Sequence, residues 1–113
     1  MKLINSLNNN PRQKFSVYTE DGNTLNVELY YYITQKSWYF DFEYGDYTCK
    51  GSRVVLTPNA IRHLKNILPF GIAFLSESNT EPFSVEDFSN GKIKMYILNK
   101  DEVLQIESEV YGV

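Results

Sequence analysis

Trp38-Tyr39-Phe40-Asp41-Phe42-Glu43 sets a large ring against a neighbour of different character at every step. Successive side chains of a β-strand point to opposite faces, so the stretch reads as a half-buried strand. Trp38, Phe40 and Phe42 then face a core, while Tyr39, Asp41 and Glu43 face outward. Towards the N-terminus, Leu25, Val27, Leu29 and Tyr31 share one face of a second strand, with Asn26, Glu28, Tyr30 and Tyr32 on the other. Phe15 and Val17 alternate in the same way before Glu20-Asp21-Gly22-Asn23, a hairpin turn in which Gly22 is free to take φ > 0. Towards the C-terminus, Tyr44-Gly45-Asp46 turns the chain into a strand from Tyr47 to Leu56. Within it Gly51 marks a bulge or a close approach of another backbone.

The strand run then meets a helix signal. Thr57 is a candidate N-cap, Pro58 suits the first helical position, and Ile61, Leu64 and Leu68 recur at helical spacing before Pro69. Phe70-Gly71-Ile72-Ala73-Phe74-Leu75 is apolar on both faces, as a central strand covered on both sides would be. Ser76 to Ser89 is polar, contains Pro82 and reads as a long surface loop. Beyond Gly91, Ile93, Met95 and Ile97 share one strand face, with Tyr96 and Leu98 on the other. Asn99-Lys100-Asp101-Glu102 opens a short last element whose periodicity fits helix or strand. The expected fold is mainly β: a small antiparallel barrel or sandwich of about six strands with one short inserted helix. Its expected core holds Trp38, Phe40, Phe42, Phe74 and Ile97, with Gly22, Gly51 and Gly71 shaping the backbone. Residues 1–13, ending in an Asn run and Pro11, read as a flexible N-terminal arm, and residues 14–113 as a single β domain.

Composition bounds the function. In 113 residues, 11 basic side chains against 14 acidic ones give a net charge of −3, which excludes a strongly basic footprint for duplex DNA. The one cysteine, Cys49, has no partner for an intramolecular disulfide. No signal peptide is evident, and the apolar run at residues 70–75 is far shorter than the roughly 20 residues of a membrane helix. The expectation is a protein used without export, with no membrane partner.

Few residues point to chemistry. Asp41 and Glu43 share a strand face, with Asp46 beyond, but no nucleophile or second base accompanies them, and a solvated strand face explains them. His63 is the single histidine, and one His with one Cys makes no four-ligand zinc site. The glycines are isolated and none opens a helix after a strand, so no phosphate-binding loop is present. No cofactor, metal or catalytic residue is expected.

The aromatic content is the distinctive feature: 15%, with nine tyrosines. Alternation places Tyr30, Tyr32 and Tyr39 outward, as candidate contacts. Outward tyrosines stack bases or sugars in small oligonucleotide-binding-type barrels, which is the alternative reading. Here their neighbours are Glu28, Asp41, Glu43 and Asp46, which repel phosphate, so a protein-binding face rich in Tyr is favoured over specific nucleic-acid binding.

The order of landmarks carries a family resemblance. Phe15-Ser16-Val17 and a hairpin are followed by Trp38-Tyr39-Phe40-Asp41-Phe42 and Lys50-Gly51-Ser52-Arg53-Val54-Val55-Leu56. Then come Pro69-Phe70-Gly71-Ile72-Ala73-Phe74, Glu81-Pro82-Phe83, Asp87-Phe88-Ser89-Asn90-Gly91, and Met95-Tyr96-Ile97-Leu98 running into Asp101-Glu102-Val103. From about residue 14 to 103 this resembles the baseplate plug family of tailed phages. The arm of residues 1–13 and the Tyr-rich second strand depart from it. The resemblance implies a non-enzymatic part of the virion, assembled in the host bacterial cytoplasm. It also implies a place at the distal end of the tail tube, in symmetric copies packed on hub, tube or spike proteins.

Overall fold

Two antiparallel sheets and one terminal helix make up the chain, in a computed structural model that describes residues 1–78 and 84–112. Along the chain run β1 (Lys2–Leu3), β2 (Arg12–Tyr18), β3 (Thr24–Tyr32), β4 (Ser37–Tyr44) and β5 (Tyr47–Arg53). A 3-10 turn (Arg62–Leu64), β6 (Gly71–Leu75), β7 (Lys94–Leu98) and the helix α1 (Lys100–Glu109) follow. One sheet has the order β2-β3-β4-β5 and the other β1-β7-β6. The sheets do not close on each other, so the mainly β fold is a sandwich and not a barrel.

The alternation of β4 decides the core. Trp38, Phe40 and Phe42 are buried on one face beside Leu25, Val27 and Leu29 of β3, and the facing sheet contributes Ile72, Phe74, Met95 and Ile97. Rings bridge the two layers: Phe40 lies 5.4 Å from Phe74 and Phe42 lies 5.9 Å from Phe70. Edge-to-face and tilted pairs at such spacings add to the burial of apolar area. The turn into β3 is held by Thr19 N–H on the Asn23 carbonyl, with Gly22 at φ +87°.

Gly51 is a bulge glycine. Phe42 pairs with Cys49 and Phe40 with Ser52, so Asp41 alone faces both Lys50 and Gly51. The extra residue needs a left-handed conformation, which Gly51 adopts at φ +77°, and its N–H donates to Asp41 Oδ1 at 2.8 Å. Gly71 serves space instead. A Cβ there would sit 3.0 Å from Asn59 Oδ1, Leu98 Cδ1 and Val103 Cγ2 together.

The structure corrects several expectations. The inserted helix is absent as an α-helix: Ile61, Leu64 and Leu68 are buried, but only Arg62–Leu64 makes a short 3-10 turn. The reason is competition for the backbone. Thr57 exchanges both main-chain bonds with Phe74, Ala60 N–H donates to the Ile72 carbonyl, and Asn59 Oδ1 accepts from the N–H groups of Ile61 and Ile72. The groups that would start a helix are committed to β6. The helix of the fold is α1, where Asn99 and Glu102 cap reciprocally: Glu102 N–H donates to Asn99 Oδ1 at 2.8 Å, and Asn99 N–H to Glu102 Oε1 at 2.9 Å.

The strand β6 is covered on both faces, by the core on one side and by Val103 of α1 against Ala73 and Leu98 on the other. It is not the middle strand, however, since β7 lies between β1 and β6. The first residues are also part of the fold. Lys2 and Leu3 pair with Ile97 and Tyr96, Ile4 N–H donates to the Met95 carbonyl, and Ile4 is buried. The four-stranded sheet begins at Arg12, not Lys14. In the expected surface loop, Asp87 and Phe88 are buried, while Pro82 and the Glu81-Pro82-Phe83 landmark lie outside the described residues.

Candidate interaction surface

The outward face of β3 and β4 gathers the tyrosines because of register. Tyr30 stands opposite Tyr39, and Tyr32 opposite Ser37, one step nearer the hairpin end. Tyr30 and Tyr39 stack with centroids 5.9 Å apart, and Tyr32 closes the cluster at 5.4 Å from each. The Arg12 guanidinium lies 5.2 Å from the Tyr30 ring centre and pairs with Glu28 at 3.0 Å.

The cluster changes the role of one candidate. Tyr30 points outward but is only 8% exposed, covered by the other two rings and Arg12. It forms the floor of the patch. Tyr32 is 45% exposed and Tyr39 half-buried. The hairpin tip adds Ile33, 79% exposed beside Tyr32, and Arg53 is exposed opposite Tyr39 across the β4–β5 ladder. Neither Ile33 nor Arg53 stands out in sequence. Ile33 sits where the alternation breaks, and only a strand register brings Arg53 beside Tyr39.

Asp41 is spent on structure. Its Oδ1 accepts from the Tyr30 hydroxyl at 2.9 Å and from Gly51 N–H at 2.8 Å, tying the tyrosine floor to the bulge. Burial, the hydrogen bond to Asp41 and that carboxylate's charge push the Tyr30 phenol up to about 12. An unfolded tyrosine ionises near 10, so the proton held by folded Tyr30 stabilises the fold below that pH. The contribution is lost as pH rises from about 10 to about 12. Asp41→Asn removes the charge, so Tyr30 should ionise at lower pH, and alkaline unfolding should begin earlier than in the wild type. Phenolate absorbance and circular dichroism, followed together in an alkaline titration, read both effects.

The remaining polar candidates do not converge. Glu43 lies opposite Asn26 and Thr48, Asp46 sits exposed in the β4–β5 turn, and His63 is exposed on the 3-10 turn of a separate segment. Cys49 faces the core side, half-buried, with its Sγ 3.4 Å from Ser52 Oγ. Among the described residues no group of three or more His, Cys, Asp or Glu side chains is placed to hold a metal ion, and no helix is long and apolar enough to cross a membrane. Beside the tyrosines, a groove of about 490 Å³ runs over Lys14, Asn26, Glu28, Asp41, Glu43 and Lys50. Three carboxylates against two ammonium groups make it a poor track for a phosphate backbone.

The arrangement is an aromatic and aliphatic patch at one end of a sheet, rimmed by arginines and carboxylates. No curated protein matches the chain. The family model described as cyanophage baseplate Pam3 plug gp18 matches residues 1–101, from β1 through the first residues of α1. That span includes the first residues, which pack into the sandwich, as well as both sheets and the tyrosine face. With nearly the whole sandwich inside the match, the chain belongs to the cyanophage baseplate plug family.

Proposed function

We propose that this protein is a plug subunit at the distal end of a phage or prophage tail tube, held there by hub, tube or spike proteins. Membership of the plug family gives it a structural role in the baseplate, and that match is the observation that carries the reading. Several symmetric copies would pack by protein–protein contact, after assembly in the cytoplasm of the host bacterium. In this reading the chain has no catalytic role, and Tyr32, Ile33 and Tyr39 are the contacts, with Tyr30 beneath them. Tyrosine and exposed aliphatic side chains at low entropy cost suit such a patch. The net charge of −3 adds no attraction for DNA passing through a tube.

The test is to tag the chain in the phage or prophage system that encodes it and identify what co-purifies by mass spectrometry. Tube, hub or spike proteins are expected with the wild type. They should be depleted about tenfold or more in a Tyr32→Ser, Ile33→Ser double variant, the loss expected when a central contact worth about 2 kcal/mol is removed. Recovery of nucleic acid or a carbohydrate-processing partner alone would instead make the tyrosine face a ligand site.

A further inference from the structure

Among the described residues the two sheets have four edges, and three are blunted. The strand β1 has two residues, β6 is flanked by Thr57 and Ala60, and β5 is bulged at Gly51 and carries Lys50 and Arg53. The strand β2 is different. Its seven residues stay in unbroken register with β3, from Arg12 opposite Tyr30 to Tyr18 opposite Thr24. Pro11 O accepts from Tyr31 N–H and Thr19 N–H donates to Asn23 O, so the odd-numbered residues turn their main-chain groups towards β3. The even-numbered ones turn theirs off the edge. Arg12 N–H is taken by Asn10 Oδ1 at 3.1 Å. The N–H and C=O groups of Lys14, Ser16 and Tyr18 have no partner among the described residues, and all three side chains are exposed. Phe15 and Val17, on the core side of the same strand, are only half-buried.

We propose that this edge pairs with itself: two copies of the chain join β2 to β2, antiparallel, about a two-fold axis at Ser16. The free groups are centred on Ser16, so this register satisfies all of them, with about six new main-chain hydrogen bonds. Lys14 then stands opposite Tyr18 of the second copy, Phe15 opposite Val17, and Arg12 opposite Glu20. Apolar side chains meet on the half-buried side, cations meet a ring or a carboxylate, and no like charges fall opposite each other. A second copy is the occupant because the strand is its own complement in reverse, basic where it begins and aromatic then acidic where it ends. The tail placement proposed above is not needed for this pairing.

Cysteine cross-linking reads the register, in a chain whose own cysteine is replaced by Cys49→Ser. Opposed residues of a hydrogen-bonded antiparallel pair have Cα atoms about 5.5 Å apart, within disulfide range. Ser16→Cys should therefore give a disulfide-linked dimer under mild oxidation. Tyr18→Cys should not, because its counterpart lies about four residues, or some 13 Å, away along the pair. In sedimentation over about a hundredfold range of concentration, the wild type should pass from monomer to dimer. Ser16→Pro, which removes one edge N–H and spares the β3 ladder, should stay monomeric with an unchanged far-ultraviolet spectrum. A wild type that stays monomeric throughout would overturn the proposal. So would equal cross-linking at positions 16 and 18, or exchange protection of the Lys14, Ser16 and Tyr18 amides only by a different tail protein.

Discussion

Trp38→Ala is expected to remove about 3–5 kcal/mol of folding stability, a large share of the roughly 5–15 kcal/mol of a typical domain. The side chain is fully buried, and its ring lies 5.4 Å from Tyr31 and 5.2 Å from Phe88, edge-on to the latter. Its Nε1–H donates to the Ser84 carbonyl at 2.9 Å, so the indole pins the turn that carries Phe88 onto the four-stranded sheet. Alanine would leave a cavity in the core and an unmatched carbonyl at its edge. Trp38→Phe keeps most of the ring contact and loses the hydrogen bond, so a smaller loss of about 1–3 kcal/mol is expected. Urea unfolding followed by circular dichroism separates the two variants. Midpoints close to that of the wild type in both would show that the indole does not anchor the core.

Asn59→Ala is the second large effect, about 2–4 kcal/mol from a residue far smaller than tryptophan. Asn59 is buried, and its Oδ1 accepts at 3.2 Å from Ile61 N–H and at 3.2 Å from Ile72 N–H. Removing the amide leaves two buried donors without an acceptor and opens space beside Gly71, whose absent side chain lets Asn59 approach. Hydrogen exchange gives a local reading: the Ile61 and Ile72 amides should lose protection, while those in the β3–β4 ladder keep theirs below the global limit. Unchanged exchange at both amides would mean that Asn59 does not join the 3-10 segment to β6.

These two residues also mark what the sequence does and does not carry. Trp38 is legible because strand alternation is a local signal: every second residue of β4 meets the core, and nothing distant has to be known. The same holds for β3, the Gly22 turn and the bulge at Gly51. The segment from Thr57 to Leu68 misleads because Ile61, Leu64 and Leu68 repeat at a spacing that reports burial, while the backbone conformation is decided by β6. Asn59, between Pro58 and Ala60, is a local sign of a side chain able to compete with a helix for its donors.

The N-terminal residues mislead for a related reason. The Asn run reads as solvated chain, yet Asn8 and Asn10 hold a turn: Asn10 N–H donates to Asn8 Oδ1 at 2.8 Å, and the Gln13 side-chain amide donates to the Asn8 and Asn10 carbonyls. That turn swings the chain from β1 in one sheet to β2 in the other. In α1, Asn99 followed three residues later by Glu102 is a legible cap that periodicity alone left open. The surface was half legible. Alternation places Tyr30, Tyr32 and Tyr39 on the outer face, but only register shows that Tyr30 lies beneath its neighbours and that Ile33 and Arg53 extend the patch.

Family membership makes this chain a structural part of a phage tail baseplate. The most direct measurement is to label a tagged copy with gold on purified particles of the phage or induced prophage that encodes it. Label is expected at the distal end of the tail, at the baseplate, with the chain present in the particle by mass spectrometry. Intact, infectious particles that contain none of the chain would contradict it.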